Sequence, residues 1–450
     1  VIPVVTPEEM GAIDAAAPEP VEVLIGRAGA AVARVARELL GGTYGRRVVV
    51  LAGKGNNGND GRAAAARLAR RGVRVAVLDA ADLPAELPPA DLVIDAAYGT
   101  GFRGEWHPPA AAAPVLAVDI PSGVDGLSGE VAGHPLPAVR TVTFAALKPG
   151  LLLDPGAALA GEITVADIGL DVSSARAHQV EAADVVEWLP ERPPDGHKWQ
   201  TAVRAVAGSA GMTGAAHLVA AGAMRSGAGY VVLSSPGLDH DEEAPTEVVG
   251  RALPESGWAD SVLADADRFG ALAVGSGLGL ADATQVDVRT VVERWPGAVV
   301  VDGDGLTALG GTVAEVTAGR PVGAVLTPHE GEFGRLAGHE PGRDRLASVR
   351  ELAAATGAVV LLKGPATIVA DPDGEVLVTT EGDARLATAG TGDVLTGVVA
   401  ALLAQGLDPF RAAAAGAFLH GRAGAVGWRH GLVASDLPDR LPIAIDLLQE

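Results

Sequence analysis

Arg47-Val48-Val49-Val50-Leu51-Ala52-Gly53-Lys54-Gly55-Asn56-Asn57-Gly58-Asn59-Asp60-Gly61 decides how the first part of this chain folds. A short apolar run, too brief for a helix, stops at Ala52 and gives way to glycine and asparagine. Arg62 to Arg70 then reads as an Ala-rich helix. Strand, glycine loop and helix N-terminus aim unpaired backbone N–H groups and a positive dipole end at an anion. Asn56 and Asn57 add side-chain donors and acceptors. The spacing does not match G-x-x-x-x-G-K-[ST], so this is not a P-loop.

The same unit recurs outward from this stretch. Apolar runs at Arg47–Ala52, Val73–Leu78, Leu92–Ala96, Val115–Ile120, Val142–Leu147 and Ile163–Ile168 form one series. Val203–Ala207, Tyr230–Ser234, Ala271–Gly275, Ala298–Asp302, Ala324–Thr327 and Val359–Lys363 form a second. Continuous apolar strands alternating with helical stretches indicate α/β domains with parallel sheets covered on both faces. Between the series, Leu189 to Gly196 is polar and proline-rich, as a boundary should be. The expected division is a domain at 1–175, a linker at 176–196 and a domain at 197–450. Thr367–Ala370 and Glu375–Thr379 around Asp371-Pro372-Asp373-Gly374 read as a β-hairpin, and Asp393–Gln405 and Asp408–Gly427 as two helices.

Composition limits the function. Of 450 residues 48 % are apolar but only 3 % aromatic, so the cores rest on Ala, Val and Leu. A net charge of −22 argues against a general nucleic-acid surface and a polybasic membrane anchor. The absence of Cys rules out disulfides, thiolate zinc sites and cysteine nucleophiles, and agrees with a reducing compartment. The long uncharged stretch from Ala205 to Met224 carries Ser209, Thr213 and His217 and reads as a glycine loop entering a buried helix. No basic n-region precedes an apolar segment at the start. A cytoplasmic protein, in no membrane and forming a homo-oligomer, is the expectation.

Two more strand ends in the first series carry polar loops. Asp95 leads into Tyr98-Gly99-Thr100-Gly101-Phe102-Arg103-Gly104-Glu105, and Asp119 into Ile120-Pro121-Ser122-Gly123. Ligands in open α/β sheets gather at the carboxyl ends of strands, where these three loops should meet. Oxygens of Asn57, Asp95 and Ser122 would suit a hard monovalent or divalent cation.

These three loops together resemble the NAD(P)HX epimerase domain, across roughly residues 1–175. The resemblance implies a Rossmann-like three-layer fold. It places hydrated NADPH (NADPHX) at Asn56, Asn57, Gly58, Asn59, Asp60, Gly99, Thr100, Gly101, Phe102, Arg103, Gly104, Glu105 and Asp119. It places potassium at Asn57, Asp95 and Ser122. Asn59 stands where that family usually has Gly; since Asn tolerates left-handed dihedrals, it is read here as a turn residue. Asp119 is the candidate for acid–base work.

In the second half, Thr388-Ala389-Gly390-Thr391-Gly392-Asp393 precedes a helix. Glycines at a helix start make an anion hole, and Asp393 could take a proton from a hydroxyl attacking a phosphoryl group. Lys363-Gly364-Pro365-Ala366-Thr367, Pro328-His329-Glu330-Gly331-Glu332, Asp302-Gly303-Asp304 and Gly275-Ser276-Gly277-Leu278-Gly279 end further strands. With His197-Lys198 and Gly214-Ala215 the set resembles the ribokinase-like superfamily, and within it the ADP-dependent NAD(P)HX dehydratases, over residues 197 to about 445. That resemblance implies ADP at Lys363, Gly364, Pro365, Ala366, Thr367 and Gly392, with Mg²⁺ accompanying it. The hydrated nucleotide would meet Ala215, Gly277, His329 and Asp393. Trp199 and the run Asp383-Ala384-Arg385-Leu386 depart from the family pattern.

The two resemblances imply a bifunctional repair enzyme for hydrated NADH and NADPH. Its epimerase half would equilibrate the C6 epimers, and its dehydratase half would phosphorylate the C6 hydroxyl and eliminate phosphate. Two other readings use some of the same residues. A ribokinase-like small-molecule kinase with a nucleotide-binding regulatory N-terminal domain would share Gly390–Asp393. A non-enzymatic nucleotide-binding scaffold would share the glycine loops alone.

Overall fold

Strands buried on both faces need apolar side chains at every position, and the apolar runs meet that demand. Leu92–Ala96 and Val115–Val118 are buried at each residue, as is Arg47–Ala52 after its first. The computed structural model describes residues 1–239, 241–320 and 322–448. Two units emerge, one spanning Ile2–Ala177 and the other running from His178 onward.

The first unit holds a six-stranded parallel sheet in the order Arg74–Asp79, Arg47–Ala52, Leu92–Ala96, Val115–Val118, Arg140–Phe144, Glu162–Ala166. The order reverses beside Arg47–Ala52, so the crevice opens where that strand and Leu92–Ala96 end. Gly53 lies at this point, and a Cβ there would fall 1.9 Å from the Ala97 carbonyl. Helices Val21–Leu40 and Asn56–Ala69 cover one face, packed closely where Gly29 meets Ala63. The other face is covered by irregular chain around Trp106 and Leu136. Prolines at 84, 88, 89, 108, 109 and 114 explain this layer, because proline removes helix-forming N–H donors.

The motif helix begins earlier than expected. It starts at Asn56 rather than Arg62, with Gly55 as an extended N-cap. Asn59 therefore sits in helical backbone, and the reading of it as a left-handed turn residue is corrected. The non-glycine residues at positive φ are Asp119 and Ala145 among those described.

The second unit carries strands in the order Val376–Thr379, Thr367–Ala370, Val359–Leu362, Ala324–Leu326, Ala298–Val301, Ala271–Val274, Ala202–Val206, Tyr230–Ser234, Val249–Gly250. Pairing is parallel from Val359–Leu362 onward, and the expected hairpin is antiparallel. Helices Thr213–Arg225, Thr391–Ala404, Pro409–Ala425 and Leu437–Asp446 share one core on this sheet. The stretch 176–196 is not a plain linker. It includes strand Ala177–Gln179 and helix Ala182–Trp188, and Val180 and Val185 are buried in the second unit's core. The proline-rich 190–196 lacks strand and helix. Two apolar anchors were enough to draw the segment onto that core.

Helix Thr391–Ala404 is held by a crossing without side chains. A Cβ on Gly397 would fall 2.1 Å from the Val219 carbonyl, and one on Gly222 2.5 Å from that of Val394. Gly397→Ala should force these helices apart and cost about 1–3 kcal/mol, as overpacking does. Denaturant unfolding of the second unit, with Gly311→Ala as a control at an open position without positive φ, measures it.

Candidate functional sites

In the first unit the strand ends, the motif helix and helix Pro7–Ala15 enclose a cavity of about 930 Å³. Asn56, Asn57, Asp60, Gly99, Thr100, Gly101, Phe102, Arg103 and Asp119 line it, facing Leu24, Ile25 and Leu170. Gly58, Asn59, Gly104 and Glu105 do not. Gly58 packs on the Gly53 carbonyl, Asn59 faces Arg62 and the exposed Glu105 carboxylate lies 3.0 Å from His107 Nε2. The family resemblance implied those four at the ligand, and none of them lines this cavity.

Asp119 is held in left-handed backbone at φ 68°, a costly conformation for a branched-off carboxylate at a strand end. Its Oδ1 lies 2.8 Å from Lys148 Nζ, and Thr143 Oγ1 approaches the same oxygen at 3.3 Å. Lys148 is 1 % exposed and also donates to Thr143 Oγ1 and the Phe144 carbonyl. This cation holds Asp119 in place. Asp60 has no such partner: burial, then the charges of Asp119 and Asp14, push it up to about 8. Asp14 is also raised, by burial first and then by Asp119, against the pull of Lys148. One cavity thus sets a carboxylate paired with a lysine beside a carboxyl whose pKa is raised.

Below the cavity, Asp95 is fully buried. Its Oδ1 accepts from Ser122 Oγ at 2.7 Å and its Oδ2 from Ser122 N at 3.0 Å. Burial raises its pKa while these bonds oppose the rise. Ser122 Oγ also accepts from Tyr98 N at 2.9 Å, which anchors the glycine loop. Both polar atoms of the Asn57 side chain are buried without a protein partner, which fits a bound cation or ligand atom. Asp14 and Lys148 escaped the sequence reading. Lys148 directly follows an expected strand, as Lys363 does, and that was the available signal.

In the second unit, Asp302 closes strand Ala298–Val301 and is 3 % exposed. Its Oδ1 accepts from Lys363 Nζ at 2.7 Å and Thr327 Oγ1 at 2.8 Å. Lys363 Nζ is 3.7 Å from Glu332 Oε2. Burial alone would lower Lys363, but Asp302 and Glu332 outweigh it and hold the ammonium above its ordinary range. A Cβ on Gly392 would lie 3.4 Å from Lys363 Nζ, so the anion-hole turn faces this cation. Gly364, Pro365 and Ala366 form the hairpin turn that leads to Thr367.

Asp393 stands in the first turn of helix Thr391–Ala404, after Gly390 at φ 91°. Burial and the nearby Asp302 and Asp304 raise it to about 6, against Ser276 and Lys363. Gly277 takes φ 66°, and a Cβ there would meet Ala215 Cβ at 2.9 Å, so those two expected contacts adjoin. His329 caps helix Glu330–Ala337: its Nδ1 accepts from Gly331 N and its backbone N donates to Glu332 Oε2. Its Nε2 lies 3.6 Å from Glu332 Oε1. His420, unmarked by any motif, is buried beside Thr391 and pushed down to about 4, chiefly by burial. The departures from the family pattern are accommodated. Trp199 packs on Tyr230, and Asp383 caps the 3₁₀ turn Ala384–Leu386 whose Leu386 carbonyl accepts from Thr391 Oγ1.

No helix among the described residues is long and apolar enough to cross a membrane. A family model for NAD(P)H-hydrate dehydratase matches residues 203–445, and one for the YjeF-related protein N-terminus matches 21–87 and 78–150. A bifunctional NAD(P)H-hydrate repair enzyme of Moorella thermoacetica is 37 % identical over 99 % of this chain and 97 % of its own. The one from Mycobacterium tuberculosis is 39 % identical over 84 % of each. Among solved structures, an ADP/ATP-dependent NAD(P)H-hydrate dehydratase from Bacillus subtilis, co-crystallised with ATP and Mg²⁺, superposes with a TM-score of 0.52 at 31 % identity. It covers 60 % of this chain and 97 % of that one. Parallel sheets in both units, glycine turns at their carboxyl ends and coverage of 84–99 % of this chain by these relatives agree: the chain belongs to the family of bifunctional NAD(P)H-hydrate repair enzymes.

Proposed function

We propose that this chain restores NADH and NADPH from their hydrates, the first unit epimerising the R and S forms at C6 and the second dehydrating the S form with ADP. What supports the reading is the meeting of Asp393, Lys363 and Gly392 at the start of one helix. The C6 hydroxyl needs a base, and the transferring phosphoryl group needs donors and positive charge; this corner supplies both.

Asp393 takes the hydroxyl proton as the C6 oxygen attacks the β-phosphorus of ADP, and AMP leaves. The C6–O bond then breaks, phosphate departs, a proton leaves C5 for water and the C5=C6 double bond returns. Lys363 and the N–H groups of Gly390–Gly392 stabilise the phosphoryl oxygens. Ala215, Gly277 and His329 receive the nicotinamide side, and Lys363–Thr367 with Gly392 receive ADP. Asp302 and Asp304, whose charges help to raise Asp393, suit Mg²⁺, which prefers few carboxylates, water and nucleotide phosphates. Bound there, it would neutralise phosphate charge.

In the first unit, Asn56, Asn57, Asp60, Gly99–Arg103 and Asp119 would hold the hydrated nucleotide, and Asp119 would move a proton at the C6 hydroxyl. The unpartnered Asn57 oxygen, with Asp95 and Ser122, suits potassium as a hard donor set. Potassium there would add positive charge beside the nucleotide phosphates.

With mixed epimers of hydrated NADH, absorbance recovery should require ADP and yield one AMP and one phosphate per NADH. A stable phosphorylated product, or recovery without nucleotide, would overturn the reading. Asp393→Asn should lower kcat about 10²–10⁴-fold with the fold retained. Because the base works as a carboxylate, wild-type kcat/KM for dehydration should fall as pH drops through about 6. Asp95→Asn should slow turnover of purified R epimer while leaving dehydration of purified S epimer unchanged, since each unit has its own strand-end site.

A further inference from the structure

The charge of this chain is distributed unevenly, and of the Lys and Arg residues from 26 to 74 only Lys54 lines the first cavity. Residues 26–74 hold eleven Lys and Arg against two acidic residues, whereas the whole chain holds 34 against 56. Some of these cations have partners: Arg27 pairs with Glu19, Arg46 with Asp91, and Arg62 donates to the Gly53 carbonyl. Arg34, Arg37 and Arg71 have no ion-pair partner among the described residues, yet they line one concavity of about 270 Å³. Glu38, Gly42 and Thr43 complete its wall. Glu38 is the one carboxylate there, and Arg140 holds it at 3.2 Å.

The fold brings these arginines together from separate places. Arg34 and Arg37 are one turn apart on helix Val21–Leu40, and Arg71 follows helix Asn56–Ala69. A basic residue in a helix's last turn answers the helix dipole, and Arg37 and Arg67 already stand there. Arg34 and Arg71 exceed that need. Three like charges around a hollow repel one another, and an anion between them would relieve this.

We propose that this concavity is a binding site for the diphosphate group of a small molecule, separate from both nucleotide sites. Guanidinium groups match phosphate oxygens with paired N–H donors, and three of them balance a diphosphate. The volume admits a diphosphate but not a whole dinucleotide. Tyr44, 100 % exposed next to Thr43, offers a ring face for a base. The site lies past the C-terminal end of helix Asn56–Ala69, whose first residues belong to the epimerase cavity. Fourteen helical residues span about 21 Å, so the two ligands would not compete.

The test uses the full chain with inorganic pyrophosphate, ADP and a short single-stranded RNA as probes. Hydrogen exchange should slow at residues 34–43 when pyrophosphate is added to the wild type. In a variant carrying Arg34→Gln, Arg37→Gln and Arg71→Gln, that protection should vanish and calorimetry should lose one site or weaken it about tenfold or more. Its kcat and KM for epimerisation and dehydration should match the wild type. Pyrophosphate protection equal to that of ADP assigns the site to the diphosphate alone. Tighter ADP binding that Tyr44→Ala reduces assigns it to a nucleoside diphosphate. Absence of protection at 34–43 in the wild type, or unchanged pyrophosphate binding in the triple variant, would overturn the proposal. So would RNA binding more tightly than pyrophosphate through the same arginines, which would make this an extended polyanion face.

Discussion

Backbone meets backbone where helix Thr391–Ala404 crosses helix Thr213–Arg225, and the second site depends on that contact. Gly397 lies against the Val219 carbonyl and Gly222 against that of Val394, so neither helix can slide or rotate without opening a gap. Close-packed interiors resist such gaps. The crossing therefore sets where Gly390, Gly392 and Asp393 stand relative to Lys363. In the first unit the approach of Gly53 to the Ala97 carbonyl does comparable work, fixing the glycine loop over the neighbouring strand end.

The two units share no motif, yet they solve the same electrostatic problem in the same way. Each sets a lysine against one strand-end aspartate, Lys148 on Asp119 and Lys363 on Asp302. Each leaves a neighbouring carboxyl without its own cation, Asp60 in one and Asp393 in the other, and burial raises its pKa. An ion pair and a neutralisable carboxyl within one pocket provide both charge and proton traffic at neutral pH. In the first unit the paired Asp119 is the proposed proton carrier; in the second it is the raised Asp393. The difference follows the chemistry, because phosphoryl transfer already needs the lysine for phosphate.

Much of this was legible along the chain. Apolar runs of four to six residues marked most of the strands to within a residue or two, because a strand buried on both faces tolerates little else. The Thr388–Asp393 turn and the loop from Gly53 to Asp60 marked the starts of the two helices at the proposed sites, since glycine allows the backbone turn into each. Asn59 was misread because a glycine-rich stretch looks like a loop, whereas three-dimensional packing lets the helix begin at Asn56. Residues 176–196 were misread because turn residues at their ends hid two apolar anchors.

Amino-acid order alone determined the strand and helix series, the glycine turns and the residue types capable of phosphate and proton chemistry. These are local properties, written in periodicity and in the backbone freedom of single residues. Tertiary structure decided which of those residues meet. Lys148 reaches Asp119 across 29 positions and Lys363 reaches Asp302 across 61, and no local pattern records such distances. Arg34, Arg37 and Arg71 face one hollow only because two helices end side by side. Burial and charge neighbours set protonation, and both arise only when distant segments pack.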